Sequence, residues 1–364
     1  MSITRKFARR VALALSVGLI LPATAQAAPN SSGLYGSTDP MYDGAYRQSL
    51  SLLALVGAKV KPAPSAIDWL ANQQCSDGGF VSFRADVSTP CDTTQEDSNS
   101  TAIAAAALQV VGKKANANKS AAWLLAHRNK DGGIGFNPLA PVTAEYDPTS
   151  SDANSTGLMF FALNTIYPKK YTSYPKKYTS AATSVLGKYQ VACSDGSGKS
   201  GALDYQRSDA LTANDYATAQ AAFAFTGVAL PLVITKSTNA PINPCSVKST
   251  STTKVADGAM FYLAARLTSN PRGIPSAFGP GTDWNTTAWA TLALMGSGYR
   301  YPAISTAVAA MADGAISWGL EAKTNAAKPG ALAMMLLVAT ALKLDVHHFG
   351  GIDLTKTIAG SLRA

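Results

Sequence analysis

The chain has 364 residues, 47% hydrophobic and 15% charged, with 31 basic and 22 acidic side chains and a formal charge of +9. Four of the basic residues, Arg5, Lys6, Arg9 and Arg10, precede an apolar run, so the rest of the chain carries only +5, 27 basic against 22 acidic. That balance leaves no electrostatic footprint for nucleic acid, and nothing after the first run offers about 18 uninterrupted apolar residues to cross a membrane.

The run VALALSVGLILPATA, whose last residue opens Ala25-Gln26-Ala27, completes a signal peptide over residues 1–27. The expectation is a secreted, extracellular protein exported by the Sec route, although Arg9-Arg10 also fits a twin-arginine leader. Residues 28–40 read as a leading segment and 41–364 as one domain. Cys75, Cys91, Cys193 and Cys245 form an even set in an exported chain. Pairing Cys75 with Cys91 and Cys193 with Cys245 is expected among the three possible connectivities. No Cys-x-x-Cys spacing offers a zinc site, so neither metal nor cofactor is expected.

One unit is then written repeatedly. DGAYRQSLSLLAL starts at Asp43, DSNSTAIAAAAL at Asp97, DANSTGLMFFAL at Asp152, DYATAQAAFAF at Asp215 and DWNTTAWATLAL at Asp283. A last copy, PGALAMMLLVATAL, starts at Pro329. Asp at a helix start can accept a bond from a free N–H, and Pro is tolerated in a first turn. The residues that follow are apolar on nearly all sides, which predicts helices buried all round.

Between these lie more polar segments, including SAIDWLANQQ, SAAWLLAHRNK, YTSAATSVLGKYQ, ADGAMFYLAARL, PAISTAVAAMADGA and DLTKTIAGSL. They read as an outer layer. Six such pairs suit a solenoid or a closed ring. The inner helices are too apolar to line an exposed concave face, so the fold class expected is all-α, an (α/α)6 toroid of six helix-pair repeats.

WLANQQCSDGGF at 69–80 and WLLAHRNKDGGI at 123–134 share Trp-Leu and Asp-Gly-Gly at one interval. With Trp69, Leu70, Gln74, Asp77, Gly78, Gly79 and Phe80 repeated as Trp123, Leu124, Asp131, Gly132, Gly133 and Ile134, the chain resembles the terpenoid cyclase and protein prenyltransferase superfamily. Farther on the element decays to Asp195-Gly196-Ser197 and Arg272-Gly273-Ile274. The resemblance implies an (α/α)6 toroid, but not the chemistry. Asp92-Thr-Thr-Gln-Glu96-Asp97 lacks the Asp-x-Asp-Asp spacing of the cyclase acid, and no Asp, Cys and His set matches the prenyltransferase zinc site. The thioester sequence Gly-Cys-Gly-Glu-Gln of complement-like toroids is also absent.

In a closed toroid the inner helices run parallel and their positive dipole ends meet at one mouth. The candidate ligand-binding residues there are Asp43, Glu96, Asp97, Asp152, Asp215, Asp283, Tyr42, Tyr216, Trp284 and Trp289. N-cap aspartates are routine, so capping alone is the competing role for each. Trp69 and Trp123 recur in the repeat and are expected to pack between units, and the glycines to serve turns with positive φ. His347-His348 reads as a surface loop. The tandem YPKKYTSYPKKYTS at 167–180 and the stretch 231–254 read as insertions.

The function expected is binding of a small molecule, glycan or lipid in or over the central cavity, by a monomer and without catalysis. The alternative is an enzyme on the same toroid, carboxylate-dependent on a glycan or terpene cyclase-like.

Overall fold

The computed structural model describes residues 32–144, 147–167, 174–192, 198–234, 237–240 and 253–364. The leader, most of the first copy of the Tyr-Lys tandem, most of the 231–254 insertion and the Cys193 to Cys245 pairing lie outside these residues. The helices are α1 (Gly44–Gly57), α2 (Pro64–Gln73), α3 (Ser98–Val110), α4 (Lys114–Ala126), α5 (Ala153–Ile166), α6 (Tyr174–Leu186) and α7 (Asp215–Thr226). They continue as α8 (Thr253–Ser269), α9 (Trp284–Gly296), α10 (Pro302–Asp313), α11 (Ala315–Gly319), α12 (Pro329–Ala341) and α13 (Leu354–Gly360). The second copy of the tandem therefore opens α6 rather than extending a loop. Among the described residues, strand is limited to the two-residue parallel pair Thr238–Asn239 and Tyr299–Arg300.

α1, α3, α5, α7, α9 and α12 each pack on the next, and α12 returns to α1. The ring is closed. All fourteen residues of α5 are buried, and small residues let the inner helices approach closely. A Cβ on Gly157 would overlap the backbone of Ala221 in α7. The remaining helices form the outer layer: α10, for instance, buries Ala303, Ala307, Ala310 and Met311 against the ring.

The ends of the chain seal the ring. Gly33 and Gly36 donate backbone hydrogen bonds to the carbonyls of Arg363 and Ser361, and Arg363 donates to Leu34, each at 2.9 Å. Leu34 and Tyr35 are buried, so residues 33–36 of the leading segment belong to the toroid's core. Gln48 staples them from α1, accepting from Tyr35 N–H at 2.9 Å and donating to the Gly33 and Ala66 carbonyls at 2.8 and 2.9 Å.

The turn that enters α3 recurs at the entry of α5. Gly78 and Gly132 adopt φ of 111° and 90°, and Asp77 and Asp131 accept from Gly79 and Gly133 N–H at 3.1 and 2.9 Å. The next residue, Phe80 or Ile134, donates its N–H to Thr101 or Thr156 in the first turn of the inner helix, at 2.9 and 3.1 Å. Its carbonyl accepts from the N–H of the cap residue Asp97 or Asp152.

In the third unit this geometry belongs to Gly201-Ala202-Leu203, where Gly201 has φ 87° and Leu203 donates to Thr218 at 2.8 Å. Asp195-Gly196-Ser197 lies outside the described residues. The second glycine of the motif has a different purpose from the one expected. Gly79 has no positive φ; a Cβ there would overlap the Glu96 carboxylate and come within 2.7 Å of the Trp123 indole nitrogen.

Candidate functional site at the toroid mouth

The parallel inner helices place their first turns around one opening, and the aspartates divide there by role. Asp97, Asp152 and Asp283 are true N-caps, accepting from Ser100, Ser155 and Thr286 N–H at 2.6, 2.7 and 2.9 Å. Asp283 is fully engaged, because its second oxygen accepts from the Thr286 hydroxyl at 2.6 Å.

Asp97 and Asp152 keep more chemical freedom. Burial, opposed by the cap bonds from their serines, pushes Asp97 up to about 6 and Asp152 up to about 7. Oδ2 of Asp152 is buried with no hydrogen-bond partner. Both carboxyls therefore hold a proton far more readily than a solvated aspartate.

The other expected positions do not join this group. Asp43 makes no cap bond and pairs with the buried Arg47 at 2.6 Å. Asp215 is not the cap of α7; Asn214 is, accepting from Ala217 N–H at 2.9 Å. One residue into the helix, Asp215 faces α8, taking Arg266 at 2.6 Å and the Tyr262 hydroxyl at 2.6 Å. Trp284 stacks on Trp318 with ring centroids 5.9 Å apart and lies against Gly314. Glu96 sits beneath the Asp-Gly-Gly turn with Trp123 and the Cys75–Cys91 disulfide. Tyr42 is 84% exposed.

Tyr216 and Trp289 do belong to the mouth. Tyr216 stays 38% exposed, yet after burial the charges of Asp152, Asp283 and Asp97 all raise its hydroxyl, which reaches about 12. It thus stands among all three cap carboxylates. From the opposite side of the ring, the Tyr46 hydroxyl of α1 points at the Trp289 indole and the Gln220 amide without a completed hydrogen bond. Since α1 and α7 lie across the ring from each other, Tyr46, Gln220 and Trp289 floor the mouth. Below them Phe161, Phe223 and Trp289 pack edge to face at 5.4 and 5.9 Å and fill the lumen.

Several residues of this bowl escaped the sequence reading. Asn99, Asn154 and Asn285 stand two positions after Asp97, Asp152 and Asp283, as Tyr216 does after Asn214. The register of Tyr216 therefore aims all four at the opening. The recurring Asp-x-Asn carried that signal. Asn99 Oδ1, Asn154 Oδ1, Ser155 Oγ, Gln220 Oε1 and the Tyr46 hydroxyl are buried atoms without a protein partner. Buried polar groups are ordinarily paired, and these five atoms find no partner within the protein.

Other expectations hold at their positions. Cys75 and Cys91 form a disulfide. Trp69 and Trp123 are buried between units. His347 and His348 lie at the surface, each on an aspartate, Asp353 at 3.0 Å and Asp345 at 2.9 Å.

No family model and no curated protein matches the sequence. Among solved structures, the chain is similar to cellobiose 2-epimerase from Spirochaeta thermophila, with TM-score 0.54 and 15% identity over 86% of this chain and 92% of that one. It is also similar to an alpha-mannanase from Bacteroides thetaiotaomicron, with TM-score 0.51 and 10% identity over 82% and 85%. A type II terpene cyclase from Scytonema aligns at TM-score 0.48 and 12% identity over 86% and 92%. At these identities the likeness speaks for the fold. The chain therefore folds as a closed six-repeat α/α toroid.

Proposed function

We propose that the mature chain is an exported toroid that binds a small polar ligand in the bowl at its mouth. The observation that carries this reading is the set of buried, unpartnered polar atoms on Tyr46, Asn99, Asp152, Asn154, Ser155 and Gln220 around that opening. They are rich in acceptors, and the cation of Arg266 is turned away onto Asp215. A ligand that donates several hydrogen bonds, such as a polyol or an amine, matches this lining, with Tyr216 offering an aromatic face. Export is supported by the leader-like first 27 residues, by the Cys75–Cys91 disulfide and by the absence of a membrane-crossing helix among the described residues.

The test is native mass spectrometry of the mature protein against its denatured mass. A bound species lost on denaturation is expected, and lost also from the folded double variant Tyr216→Ala/Asn154→Ala. A bound species that survives this double substitution, or no bound species and no ligand from a polyol and amine panel, overturns the placement.

One observation favours a catalytic version. Asp97 at about 6 and Asp152 at about 7 are carboxyls poised to exchange a proton near neutral pH. In that case Asp152→Asn would bind the ligand and fail to turn it over, whether glycan or lipid.

A further inference from the structure

The opposite face of the ring carries a cavity of about 1040 Å³ that is separate from the mouth. It lies beyond the C-terminal ends of α9 and α12. One wall is α10, where Ile304, Val308 and Ala312 recur at four-residue spacing and stay half-buried. This stripe is distinct from the Ala303, Ala307, Ala310 and Met311 face that α10 uses for packing. Leu344 and Phe349, from the segment after α12, form the facing wall. An outer helix needs one apolar stripe to join the ring; the second lines a cavity of the size that takes a small organic ligand.

The polar groups at this cavity that bear on a ligand are Tyr301, Arg300 and Asp345. Tyr301 is 9% exposed, and its hydroxyl has no hydrogen-bond partner. Burial and the neighbouring Asp257 and Tyr299 raise that hydroxyl, which keeps it protonated and able to donate. Arg300, at the rim, donates from Nε to Ser237 Oγ at 2.9 Å and pairs with no carboxylate among the described residues. The rim carboxylate, Asp345, is already held by His348. The cavity thus presents an apolar wall with a guanidinium and a buried donor at one end.

We infer that this cavity binds an anionic single-chain amphiphile of the long-chain carboxylate class, its chain along the Ile304–Val308–Ala312 stripe and its acid group on Arg300. A guanidinium fork suits a carboxylate, and a charge-assisted bond there adds to burial of the chain. The site stands independently of the mouth.

The experiment is displacement of a fluorescent fatty acid from the mature protein by dodecanoate and by dodecanol at pH 8. Wild type should bind both, the carboxylate more tightly. Arg300→Gln should weaken dodecanoate about tenfold, a loss of about 1.4 kcal/mol, and leave dodecanol unchanged. Val308→Trp should obstruct the Ile304–Val308–Ala312 stripe and weaken both alike; should it fail to fold, Ala309→Phe, on the more exposed side of α10, serves in its place. Tyr216→Ala/Asn154→Ala should bind the probe as wild type does. Probe binding that is undiminished in the stripe-obstructing variants, that is lost in the mouth variant, or that shows the same carboxylate preference in Arg300→Gln overturns the assignment.

Discussion

The indole nitrogen of Trp123 donates a 2.8 Å hydrogen bond to Oε2 of Glu96, while Oε1 of the same buried carboxyl has no partner. Burial, then the charge of Asp77, raises Glu96 to about 7, and the indole bond only partly opposes them. In the next unit Ser151 occupies the matching position before its cap aspartate and donates to Asp131 at 2.9 Å. Glu96 is therefore an acid where the repeat tolerates a hydroxyl.

This pair gives a pH-dependent stability. Because Glu96 has a higher pKa folded than unfolded, the folded state favours its protonated form. Its ionised form is penalised, so stability falls as pH rises from about 4.5 through about 7. Asp97 and Asp152 add the same sign over a similar window. Glu96→Gln keeps an acceptor for Trp123 and removes the penalty. It should stabilise the protein by about 1 to 3 kcal/mol at pH 8 and be nearly neutral at pH 4, as read by urea denaturation at both pH values. A destabilised Glu96→Gln protein at pH 8 would show that the ionised carboxylate is a net support.

Gly79 offers a test of space against backbone strain. Its backbone is one any residue adopts, and the obstacle is the Glu96 carboxylate and the Trp123 indole. Gly79→Ala should cost about 2 to 3 kcal/mol by overpacking, and Glu96→Ala in the same chain should recover a large part of it. Gly78→Ala meets both a φ of 111° and the Lys119 backbone, so no side-chain truncation should rescue it. Equal behaviour of the two glycines in the double-mutant cycles would reject the distinction.

The entry threonines carry the repeat's most consistent bonds. Thr287 accepts from Ile274 N–H at 2.9 Å and donates to the Asp283 carbonyl at 2.8 Å. Thr287→Val leaves that buried N–H without its acceptor, which should cost about 1 to 3 kcal/mol, whereas Thr287→Ser should cost less than half as much. Thr101, Thr156 and Thr218 accept the same bond in their units and should rank with it in thermal denaturation. A Val variant as stable as the Ser variant would remove the bond from the account.

The ring was legible because its evidence is periodic. Apolar inner helices and Asp-Gly-Gly turns recur, and closure followed from the burial those helices demand. What escaped was set by single-residue register. Asp215 looks like its counterparts in sequence, but the turn at Gly201 places Asn214 at the cap and sends Asp215 to Arg266. Trp284 looks like a rim aromatic and is drawn outward by Trp318 and the Gly314 gap. The mouth asparagines were visible as Asp-x-Asn, but amide side chains acquire meaning only once burial leaves their atoms unpaired.

Closure also depends on residues far apart in sequence. Arg363 donates from Nε to the Gly36 carbonyl at 2.5 Å and from Nη2 to that of Thr38 at 2.7 Å, where Arg47 of α1 also donates at 2.8 Å. Deleting Ser361–Ala364 would remove these bonds together with the backbone ladder to Gly33 and Gly36, and would uncover Leu34 and Tyr35. Global stability should fall. Native-state hydrogen exchange should show residues 33–36 and α13 losing protection first, with α5 and α7, across the ring, holding theirs longest. Arg363→Ala, which keeps the backbone bonds, should give a smaller shift of the same pattern. Uniform loss of protection around the ring would mean that closure is carried by the α1–α12 contact alone and not by the clasp of the two ends.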